Sequence, residues 1–129
     1  MENKIRRIGW EEVDRGVDLL VEQLKGNLSE VKNIYGLPRG GLIPAVMLSH
    51  RLDLPLINDR RSVSKRTLVV DEIIDSGETM LQLSKRKKAR LCVGLYVRQG
   101  SKFTPDYAAF QITNSDWLQF PWEVKKNNA

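Results

Sequence analysis

Cysteine and long apolar runs are nearly absent from this sequence. Its one cysteine, Cys92, lies within the apolar run Leu91–Val97, so an internal disulfide is excluded and a buried, unreactive thiol is expected. No apolar run approaches the roughly 18 residues that span a bilayer, and the N-terminus lacks the apolar stretch of a secretory signal. These absences favour a cytoplasmic protein without a membrane partner.

The length of 129 residues suits one domain of ordinary size. A composition of 41% hydrophobic and 29% charged residues is typical of a globular chain. The sequence contains no repeat and no low-complexity linker. We therefore predict a single domain over residues 1–129, with a short disordered tail at Lys125–Ala129.

Basic residues outnumber acidic residues in this sequence. The net charge of +5 favours anionic partners, but it does not choose between nucleic acid and a small polyphosphate. The densest basic run is Lys85–Arg90, which suits either a solvated helix end or a nucleic-acid contact. No aromatic residues are interleaved with it, so a nucleic-acid partner is the weaker reading.

Apolar residues recur at two different spacings along the chain. Helical spacing predicts helices at Trp10–Lys25, Gly40–Leu52 and Thr79–Lys88. Continuous apolar stretches predict strands at Val31–Leu37, Leu54–Ile57, Thr67–Ile74, Leu91–Val97 and Ala108–Thr113. Their alternation predicts an α/β fold with a central parallel sheet flanked by helices. Ligands bind at the carboxyl ends of such strands, so the site is expected just after Gly36, Ile74 and Val97.

Two adjacent acids, Asp71 and Glu72, interrupt the apolar strand Thr67–Ile74 near its end. Burying charge at such a place is costly unless the charge is paired or bound to a ligand. Carboxylates accept hydrogen bonds from hydroxyls and coordinate hard cations. The pair therefore indicates a binding site.

A polar loop follows this strand and precedes a predicted helix. Gly77 permits a backbone path closed to other residues, and the following amides, with the hydroxyls of Ser76 and Thr79, can form an anion site at the helix N-terminus. A simple N-cap at Ser76 or Asp75 would also explain the loop. Capping does not explain the two acids ahead of it.

A glycine-rich loop, GLPRGGL at residues 36–42, stands between another predicted strand and helix. Its glycines allow close backbone approach, and Arg39 supplies a planar cation suited to phosphate oxygens. A Gly/Pro turn with a surface arginine is the alternative interpretation.

Two tryptophans stand near the C-terminus, in DWLQFPWE at residues 116–123. Trp117 suits either a flat apolar wall for a flat base or an anchor on the core. Trp122 is expected to be an anchor only.

Together these segments resemble a known family. LVVDEIIDSGET at residues 68–79 is similar to the PRPP-binding motif of type I phosphoribosyltransferases, with Ser76 where a threonine is usual. Arg39-Gly40-Gly41 is similar to that family's pyrophosphate loop, and WLQFPWE resembles the ending of the xanthine–guanine (purine) group. The resemblance runs from Trp10 to Glu123. It implies the Rossmann-like type I phosphoribosyltransferase fold, with a reduced hood and lid over the site.

The resemblance also implies roles for individual residues. Asp71 and Glu72 would hold the ribose hydroxyls, directly or through Mg²⁺ bound with PRPP. Arg39 and Gly40 would bind pyrophosphate, Trp117 would stack on the purine and the backbone of Leu118 would read its edge. The 5′-phosphate would lie in the loop formed by Asp75, Ser76, Gly77, Glu78 and Thr79. Asp75 is also the candidate general acid or base at purine N7.

Two departures from the family pattern concern base choice and catalysis. Arg98 stands where a lysine usually bonds the purine 6-oxo group, and its larger fork leaves the preferred base open. The long mobile lid is replaced by Asn58–Arg66, a short basic stretch. It either offers Arg60, Arg61 or Lys65 to the pyrophosphate or is only a solvated connection.

The resemblance implies an enzyme that transfers ribose 5-phosphate from PRPP to a 6-oxopurine such as guanine, xanthine or hypoxanthine. Pyrophosphate would be released and a nucleoside monophosphate formed with Mg²⁺. The alternative is a PRPP- or nucleotide-binding regulator on the same fold, with weak or no catalysis. Family analogy also implies a homodimer or tetramer.

Overall fold

The structure, a computed structural model, describes residues 4–123. Its helices are α1 (Trp10–Leu24), α2 (Leu42–Leu52) and α3 (Glu78–Arg86), with a short 3₁₀ turn at Arg60–Ser62. Its strands are β1 (Ile5–Arg7), β2 (Asn33–Gly36), β3 (Leu56–Ile57), β4 (Thr67–Ile74), β5 (Leu91–Arg98), β6 (Tyr107–Ile112) and β7 (Trp117–Gln119). Every predicted helix and strand is confirmed to within two residues at each end. The predicted disordered tail at Lys125–Ala129 lies outside the described residues.

The main sheet has five parallel strands in the order β3-β2-β4-β5-β6. β4 lies at its centre and is buried along its first four residues, as its continuous apolar sequence predicts. Alternate residues of β4 enter opposite core layers: Leu68 and Val70 pack with α1 and α2, and Val69 packs with Met80 and Leu83 of α3. The predicted parallel α/β fold is confirmed.

The sequence analysis did not predict a second, two-stranded parallel sheet. β1 pairs with β7, Ile5 opposite Trp117, and the Trp117 N–H donates to the Lys4 carbonyl at 2.8 Å. The Ile8 N–H donates to the Gln119 carbonyl at 2.8 Å. Residues from both ends of the described chain thus form one small layer.

The segment Asn58–Arg66 is a short ordered connection between β3 and β4. Asp59 accepts the Arg61 amide at 2.9 Å and pairs with its guanidinium, and Val63 is buried against the α3 layer. The Lys87 ammonium donates to the Arg61 carbonyl at 3.4 Å. The segment therefore lies along the α3 side of the sheet.

Two smaller expectations concern the burial of Cys92 and the charge of the basic run. Cys92 is buried as predicted, and burial raises the pKa of its thiol to about 12. Lys85 and Arg86 form the last turn of α3, in agreement with the helix-end interpretation of the basic run. Within residues 4–123, no helix combines the length and apolarity needed to cross a membrane.

Candidate active site

The loops that follow β2, β4 and β5 meet at one edge of the sheet, and three adjoining cavities open there. The large cavity, of about 550 Å³, is lined by Arg39, Gly40, Ile43, Glu72, Trp122 and Glu123. The loop cavity, of about 180 Å³, is lined by Asp71 and residues 73–80. The bridging cavity, of about 130 Å³, is lined by Glu72, Ile73, Asp75, Arg98, Trp117, Leu118, Phe120 and Glu123. The bridging cavity shares Glu72 with the large cavity and Asp75 with the loop cavity, so it adjoins both of them.

The loop cavity is shaped by Gly77. Its φ of +86° is in the left-handed region, and a Cβ there would collide with the Ser101 hydroxyl and lie 2.6 Å from the Phe103 nitrogen. Gly77 occupies the N-cap position of α3 and supplies no side-chain cap. The Ser76 hydroxyl accepts the Glu78 amide at 3.3 Å, so the capping interpretation is partly correct. The other first-turn amides of α3 have no acceptor within the helix and suit an anionic ligand.

Asp71 and Glu72 lie half-buried in the second half of β4. Burial raises the pKa of Asp71 to about 6. The hydrogen bond that Asp71 accepts from the Glu72 amide, at 2.8 Å, acts in the opposite direction and lowers this pKa. Burial also raises the pKa of Glu72 to about 7, and the negative charges of Asp71 and Glu123 raise it further. The hydrogen bond from the Trp122 N–H lowers it. Two carboxyls that are costly to ionise side by side suit a ligand that brings hydroxyl donors or positive charge.

The loop after β2 approaches Glu72 closely. The Pro38–Arg39 peptide is cis. A Cβ on Gly40 would collide with the Glu72 carboxyl, and one on Gly41 would lie 2.6 Å from the Leu37 carbonyl oxygen. Arg39 is exposed at the large cavity and forms no ion pair with any residue between 4 and 123. Its guanidinium is therefore available to an anion.

Arg98 connects β5 to the C-terminal segment. Its Nε donates to Asp75 Oδ1 at 2.8 Å, and its two terminal nitrogens donate to the carbonyls of Asn114 (2.6 Å) and Asp116 (2.9 Å). The side chain is only 18% exposed, so Arg98 is largely buried at the end of β5. Two of its five N–H groups remain for a ligand.

The strand β7 presents alternate residues to opposite sides. Trp117 is 63% exposed and lines the bridging cavity, whereas Leu118 is 5% exposed and packs into the core. The Trp117 indole is thus accessible beside Arg98 and Asp75. A flat base could stack on Trp117 only if its indole were accessible in this way.

The sequence analysis missed the part of Trp122 and Glu123 in the site. Trp122 does anchor the C-terminal segment as expected, since it stacks on Phe120 with ring centroids 4.9 Å apart. It also lines the large cavity, and its Nε1 donates to Glu72 Oε2 at 3.2 Å. The signal available in the sequence was the indole N–H, which needs an acceptor when the ring is buried. None of residues 58–66 lines the three cavities.

Comparisons with known proteins agree with this geometry. No family model matches the sequence. The chain is 28% identical to the xanthine-guanine phosphoribosyltransferase of Idiomarina loihiensis, over 91% of this chain and 86% of that protein. It is 24% identical to the enzyme of the same name from Gluconobacter oxydans, over 91% and 83%.

Solved structures give the same answer for the fold. A purine phosphoribosyltransferase from Pyrococcus horikoshii superposes with a TM-score of 0.77 at 28% identity, over 97% of this chain and 98% of that one. A xanthine-guanine-hypoxanthine phosphoribosyltransferase from Helicobacter pylori superposes with a TM-score of 0.74 at 22% identity, over 95% of each chain. The chain therefore has the type I phosphoribosyltransferase fold and is similar in sequence to purine phosphoribosyltransferases, and the named relatives are enzymes of that class.

Proposed function

We propose that this protein transfers ribose 5-phosphate from PRPP to a ring nitrogen of a 6-oxopurine: guanine, xanthine or hypoxanthine. The products are pyrophosphate and a nucleoside monophosphate. The observation that carries the proposal is that the three cavities adjoin one another through shared lining residues, because PRPP and a base must meet in one site. These cavities bring together an exposed arginine, a carboxyl pair with a phosphate-type loop, and an exposed indole.

We assign the parts of PRPP to the cavities by their chemistry. The 5′-phosphate binds in the loop cavity, at the first amides of α3 and the hydroxyls of Ser76 and Thr79. Asp71 and Glu72 accept hydrogen bonds from the ribose hydroxyls. Arg39 and the open backbone at Gly40 bind pyrophosphate in the large cavity.

The acidic pair also fits a magnesium ion brought in with PRPP. No cluster of three or more metal-binding side chains occurs in residues 4–123, so the ion would depend on substrate oxygens for its other ligands. Mg²⁺ commonly binds in this way, through one or two carboxylates together with substrate phosphates and water. When bound, the ion supplies neutralisation of the negative charge on the leaving group.

The base binds in the bridging cavity. Trp117 stacks on the purine, the backbone of Leu118 reads its edge, and a remaining N–H of Arg98 donates to the 6-oxo group. Asp75 exchanges the proton at purine N7. Because Arg98 uses Asp75 Oδ1, we assign the other carboxyl oxygen, Oδ2, to that proton.

The second candidate function is binding of PRPP or a nucleotide for regulation, without efficient transfer. The observation that favours it is the position of Asn58–Arg66, which lines none of the three cavities. A lid excludes water and completes the catalytic arrangement in many transferases. The second function predicts that PRPP or a nucleoside monophosphate raises the melting temperature without turnover.

We also propose the setting in which the protein works. It acts as one domain over residues 1–129, in the cytoplasm, and assembles as a homodimer or tetramer in which a partner subunit supplies cover for the open site. Light scattering on the purified protein tests the assembly: a monomer at all concentrations contradicts it.

The decisive assay measures nucleoside monophosphate and pyrophosphate formed from PRPP with each of the three bases and Mg²⁺. We expect turnover with at least one base, and a marked loss of kcat in Asp75→Asn. Asp53→Asn is the matched control, since Asp53 ends α2 in a left-handed conformation that asparagine also tolerates. No turnover by a folded protein contradicts transfer to 6-oxopurines, and stabilisation by PRPP would then favour the regulatory function.

A further inference from the structure

The Glu72 carboxyl lies where the large and bridging cavities join. It is surrounded by other charges: Asp71 on its own strand, Glu123 of the C-terminal segment, and Arg39 across the large cavity. Repulsion from Asp71 and Glu123 favours orientations that turn the Glu72 side chain away from them. A fixed donor is therefore needed to hold its carboxyl at the junction.

Trp122 is such a donor, because two aromatic neighbours hold its indole in place. The ring stacks on Phe120 with planes only 8° apart, and Trp10 packs against it with centroids 5.8 Å apart. Phe120 is itself 3% exposed and packs on Tyr96. The Phe120 amide donates to Glu123 Oε1 at 2.8 Å, which closes the turn that carries Trp122.

Gly40 bounds the other side of the Glu72 carboxyl. A Cβ at this position would occupy the space of that carboxyl. The Glu72 head group thus fills the space between the glycine backbone and the Trp122 N–H. The indole bond uses Oε2, and a carboxylate has about four acceptor positions, so Glu72 retains acceptors for a ligand.

We propose that Trp122 is a positioning residue, whose indole N–H holds the Glu72 carboxylate in the orientation that accepts hydrogen bonds from the hydroxyls of a bound ribose 5-phosphate group. The inference rests on the proposed function, which assigns Glu72 to the ribose. It adds that the C-terminal segment governs recognition of the sugar as well as of the base. Trp117, at one end of this segment, stacks on the base, and Trp122, at the other end, positions Glu72 for the sugar.

The test compares two nucleotides that differ only in the ribose hydroxyls. Calorimetry in EDTA measures the Kd of guanosine monophosphate and of its 2′,3′-dideoxy analogue for wild type and Trp122→Phe. Phenylalanine keeps an aromatic ring that can stack on Phe120 and removes the N–H together with the five-membered half of the indole. We expect about fivefold weaker binding of guanosine monophosphate, the effect of one hydrogen bond, and a change below about twofold for the dideoxy analogue.

Two controls separate positioning from general damage. Trp10→Phe keeps an aromatic ring beside Trp122 and leaves both the stacking on Phe120 and the bond to Glu72, so both Kd values should stay within about twofold of wild type. Glu72→Ala should weaken the binding of guanosine monophosphate, and adding Trp122→Phe to it should cost nothing further, since alanine leaves no carboxyl for the indole to hold. In steady-state assays, Trp122→Phe should raise the KM for PRPP and leave the KM for the base unchanged.

Each other outcome has a definite meaning. Equal weakening of both nucleotides by Trp122→Phe, no weakening of either, or additive effects of the two substitutions overturns the positioning role. A folded wild type that binds neither nucleotide overturns the proposed function instead. Wild-type protein that binds both nucleotides equally well overturns the assignment of Glu72 to the ribose, and the inference with it.

Discussion

At the scale of single residues, Asp71 and Glu72 are adjacent acids in a half-buried strand. Burial raises the pKa of Asp71 from 3.8 to about 6 and that of Glu72 from 4.5 to about 7. Ionising both in the ligand-free protein therefore opposes folding. Retention of two such groups at the end of an apolar strand is understandable if a ligand supplies the missing hydrogen-bond donors and charge.

This cost predicts a pH-dependent difference between wild type and Glu72→Gln. Because the folded pKa lies above the unfolded one, native Glu72 keeps its proton while the unfolded residue loses it between about pH 4.5 and 7, and stability falls through that window. Glutamine has no charge to bury and still offers an acceptor to Trp122. We expect Glu72→Gln to unfold like wild type near pH 4 and to be more stable by about 1 kcal/mol above pH 7, after allowance for solvent screening.

Urea unfolding of the ligand-free proteins at several pH values measures this difference. Lys25 pairs with the exposed Glu22, so Glu22→Gln is a surface control that should show no comparable gain at high pH. A Glu72→Gln variant no more stable than wild type at pH 8 would show that the buried charge costs nothing.

The neighbouring glycines of the loop after β2 predict contrasting effects. A Cβ at Gly40 meets the end of the flexible Glu72 side chain, which can move, whereas one at Gly41 meets the backbone oxygens of Leu37 and Val70 at 2.6 and 2.7 Å. We expect Gly40→Ala to fold normally but to bind PRPP more weakly, because Glu72 is displaced from Trp122. Gly41→Ala should lose about 1–3 kcal/mol of stability. Denaturant unfolding and PRPP titration of both variants check the pair, and equal stability losses would refute it.

At the scale of elements, the β1–β7 sheet determines where Trp117 stands. Ile5–Arg7 pairs along Trp117–Gln119, and further hydrogen bonds from Ile8 and to Lys4 close both ends of the ladder. Neither strand belongs to the five-stranded sheet, so Trp117 and Leu118 are carried by a separate layer, whereas Asp75 directly follows β4 and Arg98 ends β5, two strands of the main sheet.

Removing β1 should therefore impair base binding selectively. Deletion of residues 1–7 takes away the partner of β7 and retains the buried Ile8. We expect the KM for the base to rise several-fold while the affinity for ribose 5-phosphate changes less than about twofold, because the loop after β4 is untouched. Tryptophan fluorescence on addition of base, beside ribose 5-phosphate titration, measures the two effects. A parallel loss of both affinities would mean that the small sheet supports the whole site.

The same elements show what sequence could and could not predict. β4 and β5 were predictable because each is a long apolar run, and α1 because its apolar residues recur at helical spacing. β1 and β7 have three residues each, and their pairing joins positions more than 100 residues apart, so neither has a local signal. The motif residues could be singled out because each motif is a short contiguous stretch of sequence. The contact between Trp122 and Glu72, by contrast, depends on how the C-terminal segment folds back onto the sheet.

At the scale of the whole molecule, the net charge of +5 contrasts with the acidic character of the site. The three cavities are lined by Asp71, Glu72, Asp75, Glu78 and Glu123 against Arg39 and Arg98. Attraction of a polyanion such as PRPP must therefore come largely from basic residues elsewhere, for example the exposed Lys85 and Arg86 at the end of α3.

Long-range attraction of this kind predicts that salt acts on the association rate. The Debye length shrinks from about 30 Å at 0.01 M to about 10 Å at 0.1 M, so distant charges are screened while contacts within the site are not. We expect kon for PRPP to fall about tenfold over that range with little change in koff, and the Kd of a neutral purine base to stay constant. Replacing both Lys85 and Arg86 by glutamine lowers the net charge from +5 to +3 and should reduce kon at low salt without altering koff. Stopped-flow fluorescence measures both rates; a salt effect confined to koff would instead locate the relevant cations in contact with the ligand.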